Sequence, residues 1–387
     1  MSRDKGSRKP VGLQLTPARG ATLGQLLERR GQDHLNNFTL LRLAAALLVV
    51  YGHSFALAAP CANCFDVTTR YLRYMYSGDL GLHIFFVVSG FLVTFSMERS
   101  GDIRQFLYSR ALRIYPGLIV FVLLGVGVVG PIFTSVSLEE YFGSQDLRAF
   151  VRTNATASGY YPYLPGLFAD SRFPNTLAGT LWTLWVEVRL YLLVALFGAL
   201  GLLGKRGAAI AAILALTVFC IAFPTYAPLL NGDPHNVRLA AFFAAGALLY
   251  LLRHQVPMRL DVLLLLVLFA WLSRHRPEYD LYFGAVIIYG SLLFAFSRKL
   301  TLPRGLDDYS FGIYLYGWTI QQVLFELMPG IGPYRMALLS IPLSIIAGAL
   351  SWHLVEKRAL QLRKRLGKRR EVAAAEIASP STNMPVP

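Results

Sequence analysis

Arg42 and His53 are the first pair whose types and spacing suggest chemistry, because both fall inside an apolar run that begins near Phe38. At about 100° per residue, eleven residues make three helical turns plus roughly 20°, so both side chains leave one face, about 16 Å apart along the axis. An ionisable group near the centre of a bilayer costs about 2.5–3.5 kcal/mol even on the lenient insertion scale, so such groups usually face a bundle interior or a wet cavity. A fixed cation near one end of a stripe and a titratable base deeper along it suit a binding mouth that leads to a general base. A snorkelling arginine and a histidine bonded to a neighbouring helix would each explain one residue alone.

Other ionisable groups join them. Arg110 and Arg113, at i and i+3, present two guanidinium forks on one side of a helical turn, a geometry suited to phosphate and equally to ordinary anchoring at a basic membrane face. Glu187 lies in the apolar segment Leu181–Tyr191 and needs a partner: His53, where it would fix the tautomer, or an arginine such as Arg189 or Arg238. His83 lies nearer the outer side of the next run and could assist an acceptor. Ser89-Gly90 reads as a close helix–helix contact through small residues. Cys61 and Cys64 could form a disulfide in an oxidising compartment, but a zinc site would lack two ligands, so no metal is expected.

The elements that must position these residues are helices in a bilayer. The chain has 387 residues, 55% hydrophobic and 15% charged, against about 25% charged in soluble domains, and its mean hydropathy is +0.48. Its apolar runs predict an all-α polytopic bundle of about ten transmembrane helices, at 38–58, 80–97, 114–135, 179–203, 208–226, 237–252, 260–273, 280–297, 309–328 and 336–355. Although the net charge is +15, the basic residues sit between apolar runs and at the ends, which excludes a nucleic-acid surface. With ten spans, 26 of the 37 Lys and Arg fall on the side holding both termini, which the positive-inside rule makes the cytoplasm. The chain then divides into a basic cytoplasmic arm (1–37), a membrane domain (38–358) and a basic, then disordered, cytoplasmic tail (359–387) of a multi-pass cell-membrane protein. No N-terminal segment reads as a cleavable signal. The outer loop 136–178, rich in tyrosine and proline, suits a lid, an acceptor surface or an interfacial aromatic belt.

The motifs, taken in order, resemble acyltransferase family 3, the membrane-bound acyl-CoA:glycan O-acyltransferases, over roughly residues 36–358. They comprise Arg42 and His53 with ten residues between them, Gly81 to Leu92 (Gly-x-x-x-Phe-Phe-Val-x-Ser-Gly-Phe-Leu), Arg110 to Pro116, Leu181 to Tyr191, Ser310 to Leu315, and Val355-Glu356-Lys357. Departures are Gly317 where many members have His, Arg358 where they have Pro, and Val188 in place of a second acid. The resemblance implies transfer of an acyl group, usually acetyl, from cytoplasmic acyl-CoA to a hydroxyl of an extracytoplasmic or lipid-linked glycan, with acyl-CoA as co-substrate and no other cofactor. The expected roles are Arg42, Arg110 and Arg113 on the CoA phosphates, His53 as general base, Glu187 as its orienting acid, and His83, Trp182, Trp185 and Tyr191 toward the acceptor. The competing reading is a glycan or lipid transporter or flippase, which would need the same buried charges but no acyl-CoA.

Overall fold

The computed structural model describes residues 20–31, 37–73, 75–227, 229–297 and 307–362. The described residues are helical, with three isolated bridges and no strand. In chain order the α-helices are α1 (Leu23–Gly31), α2 (Phe38–Leu57), α3 (Ser77–Ser100), α4 (Ile103–Leu124), α5 (Gly130–Phe133), α6 (Leu138–Gly143) and α7 (Gln145–Ala155). They continue with α8 (Leu184–Ala199), α9 (Arg206–Ala222), α10 (Pro234–Leu251), α11 (Leu260–Leu272), α12 (Tyr279–Ala295), α13 (Ser310–Leu327) and α14 (Pro333–Ser351).

Each of the ten apolar runs is helical. Five helical stretches, Phe38–Leu57, Ser77–Ser100, Ile103–Phe133, Leu181–Ala199 and Pro333–Leu362, are long and apolar enough to cross a membrane. Arg206–Ala222, Leu260–Leu272 and Tyr279–Ala295 are apolar but shorter. A π-turn, Gly125–Val129, joins α4 to α5, and another, Trp352–Glu356, extends α14.

Glycines set the closest helix contacts. A Cβ on Gly90 of α3 would lie 1.9 Å from the Phe243 carbonyl oxygen of α10, and one on Gly246 would lie 2.1 Å from the Val87 oxygen. The α3–α10 seam is therefore backbone against backbone, as the small residues led one to expect. Gly317 of α13 similarly faces Val50 of α2, with 2.7 Å to a built Cβ. A side chain there would press on the Val50 methyl.

Two regions outside the apolar runs are also folded. Part of the N-terminal arm is folded: α1 docks through Leu23, fully buried, and the Leu23 and Gly24 amides donate to the carbonyls of Val256 and Arg253. Residues 1–19 and 32–36 of the arm, and the tail beyond 362, lie outside the described residues, while the last helical stretch runs past 358 to Leu362. The outer loop is also more than a loop. Its helix α7 packs along α4, and the Tyr115 hydroxyl donates to the Thr156 carbonyl at 3.0 Å.

Candidate active site

A cavity of about 850 Å³ opens between α2, α3, α4, α8 and α13. Arg42, Arg110, Arg113, Glu187 and Tyr191 line it, so residues spread over 149 positions of sequence meet in one space.

Its basic end is built around an acid that the sequence reading missed. Asp308 Oδ2 accepts from Arg42 and from Arg113, both at 2.7 Å, while Oδ1 accepts from the Ser310 amide (3.2 Å) and hydroxyl (2.5 Å) at the start of α13. Burial raises the Asp308 carboxyl, but the two guanidiniums and the Ser310 bonds outweigh it and bring it down to about 2. Arg113 also approaches Glu356 at 3.6 Å and lies 5.5 Å from the Trp352 ring, both within the π-turn that ends α14. Such turns often mark functional positions. Arg110 differs from its neighbours. Its contacts are the Ser96 hydroxyl (3.2 Å), the Ser109 hydroxyl (3.5 Å) and the rings of Phe106 and Tyr191 (5.8 Å each), and it has no carboxylate partner among the described residues. A guanidinium held in place without a counter-ion is free to take an anion.

Midway along the wall, the Tyr191 hydroxyl and the Ser89 hydroxyl (3.2 Å) both donate to Glu187 Oε1. Glu187 thus bonds neither His53 nor an arginine, which corrects the expected pairing. The reason is helical register: residues i and i+4 of α8 stand one above the other, so Tyr191 is the nearest donor to Glu187. Arg189 turns away to the carbonyls of Leu229 and Ser158, and Arg238 pairs with Asp280 at 3.8 Å. Tyr191 belongs to this cavity rather than to a separate acceptor surface. Trp185 lies beneath Arg189, Trp182 is half-buried against the core, and His83 stacks on Phe242 at 4.0 Å. The four residues assigned to the acceptor side do not share one site.

The far end of the cavity is Tyr314 and Thr183. The Tyr314 hydroxyl donates to the Thr180 carbonyl (2.5 Å), so its oxygen accepts from the Thr183 hydroxyl (2.5 Å). His53 does not line the cavity. One turn further along α13, Trp318 meets the His53 ring edge-on at 5.1 Å, and Tyr76 lies at 6.2 Å on another side. His53 is 6% exposed and its Nδ1 has no hydrogen-bond partner. A buried ring nitrogen without a partner costs roughly 1–3 kcal/mol. Gln321 fixes the adjacent turn of α2, donating to the Val50 carbonyl (2.7 Å) and the Ser54 hydroxyl (2.9 Å).

Beyond His53, segment 173–180 is fastened to α13. Gln322 donates to the carbonyls of Phe173 and Thr176, Thr319 to that of Leu177, and Trp318 packs on Gly179, where any side chain would collide with the indole. Cys61 and Cys64, shortly after the end of α2, form a disulfide. The expected open passage from Arg42 to His53 is therefore interrupted: the cavity with its basic end stops at Tyr314 and Thr183, and His53 lies past them, packed between Trp318 and Tyr76. Among the described residues no cluster of His, Cys, Asp or Glu has the makings of a metal site.

Against known proteins, residues 35–353 match the acyltransferase-domain model of acyltransferase family 3. A protein named O-acetyl transferase, from Shigella phage Sf6, is 28% identical over 344 residues, covering 84% of this chain and 96% of that protein. Nodulation protein 10 of Rhizobium leguminosarum bv. viciae is 30% identical over 368 residues, covering 87% of this chain and 96% of the relative. No solved structure matches.

Proposed function

The chain belongs to acyltransferase family 3, and from that premise we propose that it moves an acyl group, acetyl in the first instance, from cytoplasmic acyl-CoA to a sugar hydroxyl presented from the opposite face. One observation carries the reading. Arg42 and the orphaned imidazole of His53 stand about 16 Å apart by helix rise on α2, the first beside Arg110 and Arg113 in the cavity and the second just past the Tyr314–Thr183 pair that ends it. That separation suits an extended pantetheine arm, whose phosphates would rest on the arginines while its thioester reaches the imidazole.

Each wall residue then has a task. Arg110 supplies the unpaired cation for phosphate, and Arg42 and Arg113 exchange part of their hold on Asp308 for the same ligand. Glu187 and Ser89 stand where the amide groups of the arm pass, able to accept an N–H and to donate to a carbonyl. Tyr314 must swing from Thr183 to let the thioester through. Past it, the free nitrogen of His53 takes the proton of the acceptor hydroxyl as its oxygen attacks the thioester carbonyl. As the tetrahedral intermediate collapses the C–S bond breaks, and the imidazolium returns its proton to the departing CoA sulfur. The bundle of about ten spans with both termini in the cytoplasm follows from the charge distribution. A disulfide just beyond His53 accords with an oxidising compartment on that side.

The test uses purified protein in lipid nanodiscs with labelled acetyl-CoA and a saccharide acceptor. His53→Ala should lower transfer by about 10²–10⁴ while leaving CoA binding intact, the range a positioned base contributes. Near-normal transfer by a folded His53→Ala protein removes His53 from the mechanism. A protein that moves the glycan across the bilayer but neither binds acyl-CoA nor transfers acetyl would be a transporter.

A further inference from the structure

A second cavity, of about 400 Å³, lies on the opposite side of α8 from the one that holds Glu187. Its walls are the apolar faces of α8 and α9 and a small-residue face of α10, Ala240, Ala241, Ala244 and Ala247. Small residues in a membrane bundle ordinarily bring helices together; here they leave a hollow. The hydroxyls of Thr94 and Thr217, its few polar groups, are already spent on the carbonyls of Gly90 (2.8 Å) and Ile213 (2.7 Å) of their own helices. The interior thus offers no free hydroxyl donor to a polar ligand or to water, and an empty apolar space forfeits dispersion contacts along its whole lining. Hydrocarbon is the filling it suits.

One lip of this hollow is charged. Arg189 lines it, partly exposed, its guanidinium 4.2 Å from the Trp185 ring centre. Its three hydrogen bonds go to the carbonyls of Leu229 (2.7 Å) and Ser158 (3.4 Å) and to Asn231 Oδ1 (3.1 Å). A guanidinium has five N–H donors, so two are left over, and no carboxylate among the described residues balances its charge. The stacking and the carbonyls hold the plane of the fork, which is the form of arginine that binds phosphate.

We propose that this cavity binds a long-chain lipid phosphate, with the hydrocarbon chain between α8, α9 and α10 and the phosphate on Arg189. The site stands apart from the acyl-transfer reading, since none of its residues touches the donor cavity.

The experiment measures binding of a labelled long-chain alkyl phosphate to the full chain in nanodiscs of zwitterionic lipid. The same measurement is made with the alcohol of equal chain length and with inorganic phosphate. Wild type should bind the alkyl phosphate at least about tenfold more tightly than either part alone. Arg189→Gln should lower its affinity to that of the alcohol. Ala244→Phe, which fills the hollow, should abolish binding while keeping the melting temperature, because added apolar volume in a void does not unfold a bundle. Equal binding of the alcohol and the phosphate, or undiminished binding in a folded Ala244→Phe protein, overturns the proposal. So does inorganic phosphate binding as tightly as the alkyl phosphate.

Discussion

Asp308 decides how the basic end of the cavity behaves. With its carboxyl held at about 2 against an ordinary value near 4, it is fully ionised at neutral pH. A folded value below the unfolded one contributes stability above about pH 4, which fades as pH falls toward 2. The loss of melting temperature between pH 5 and pH 3 should therefore be smaller in Asp308→Asn than in wild type. That variant also leaves Arg42 and Arg113 uncompensated, so added CoA should raise its melting temperature by more than it raises that of wild type. Arg110, which gives up no carboxylate to bind phosphate, should act on affinity alone. Arg110→Ala should raise the KM for acyl-CoA by about 10–100-fold with kcat little changed, since a hydrogen bond to a charged group is worth about 1.5–3 kcal/mol. A fall in kcat with unchanged KM would assign Arg110 to the chemistry instead. Tyr314→Phe removes both bonds of the barrier, so CoA release without acyl transfer should rise relative to coupled turnover. An unchanged ratio of free CoA to acylated product would show that Tyr314 does not separate the two compartments.

The helices carry these residues through contacts that sequence reveals unevenly. Helical period alone placed Arg42 and His53 on one face and Arg110 and Arg113 on one turn, because those relations are local. The close α3 contact was visible as Ser89-Gly90 for the same reason. The partners were not visible. Asp308 stands 266 residues from Arg42, and nothing in the chain announces that pairing, although an acid two residues before Ser310 is an ordinary capping signal at a helix start. Need of a partner alone points Glu187 to His53 or an arginine, yet a tyrosine one turn along its own helix takes that place. Gly90 tests this account of the seam. Gly90→Val should lower the melting temperature strongly, as overpacking costs about 1–3 kcal/mol or more where backbone cannot move. Gly127→Ala, whose side chain would enter open space, should be tolerated.

For the whole molecule, composition and apolar runs made the helical membrane bundle legible, because burial in lipid demands internally satisfied helices. The same logic could not show where a passage is open. Whether a space connects Arg42 to His53 depends on Tyr314 and Thr183, from helices far apart in sequence, and on the cover of residues 173–180. The result is a molecule in which one hydrogen-bonded pair separates the arginine-lined cavity from the buried His53. Its central claim, that the acyl group crosses this boundary and is transferred at His53, is tested most directly in oriented proteoliposomes. Labelled acetyl-CoA is supplied only on the side of the termini, and a membrane-impermeant saccharide only on the other. Wild type should acetylate the saccharide and release CoA on the donor side, and His53→Gln should bind CoA without acetylating anything. Acetylation confined to a saccharide on the donor side, or undiminished in His53→Gln, would contradict it.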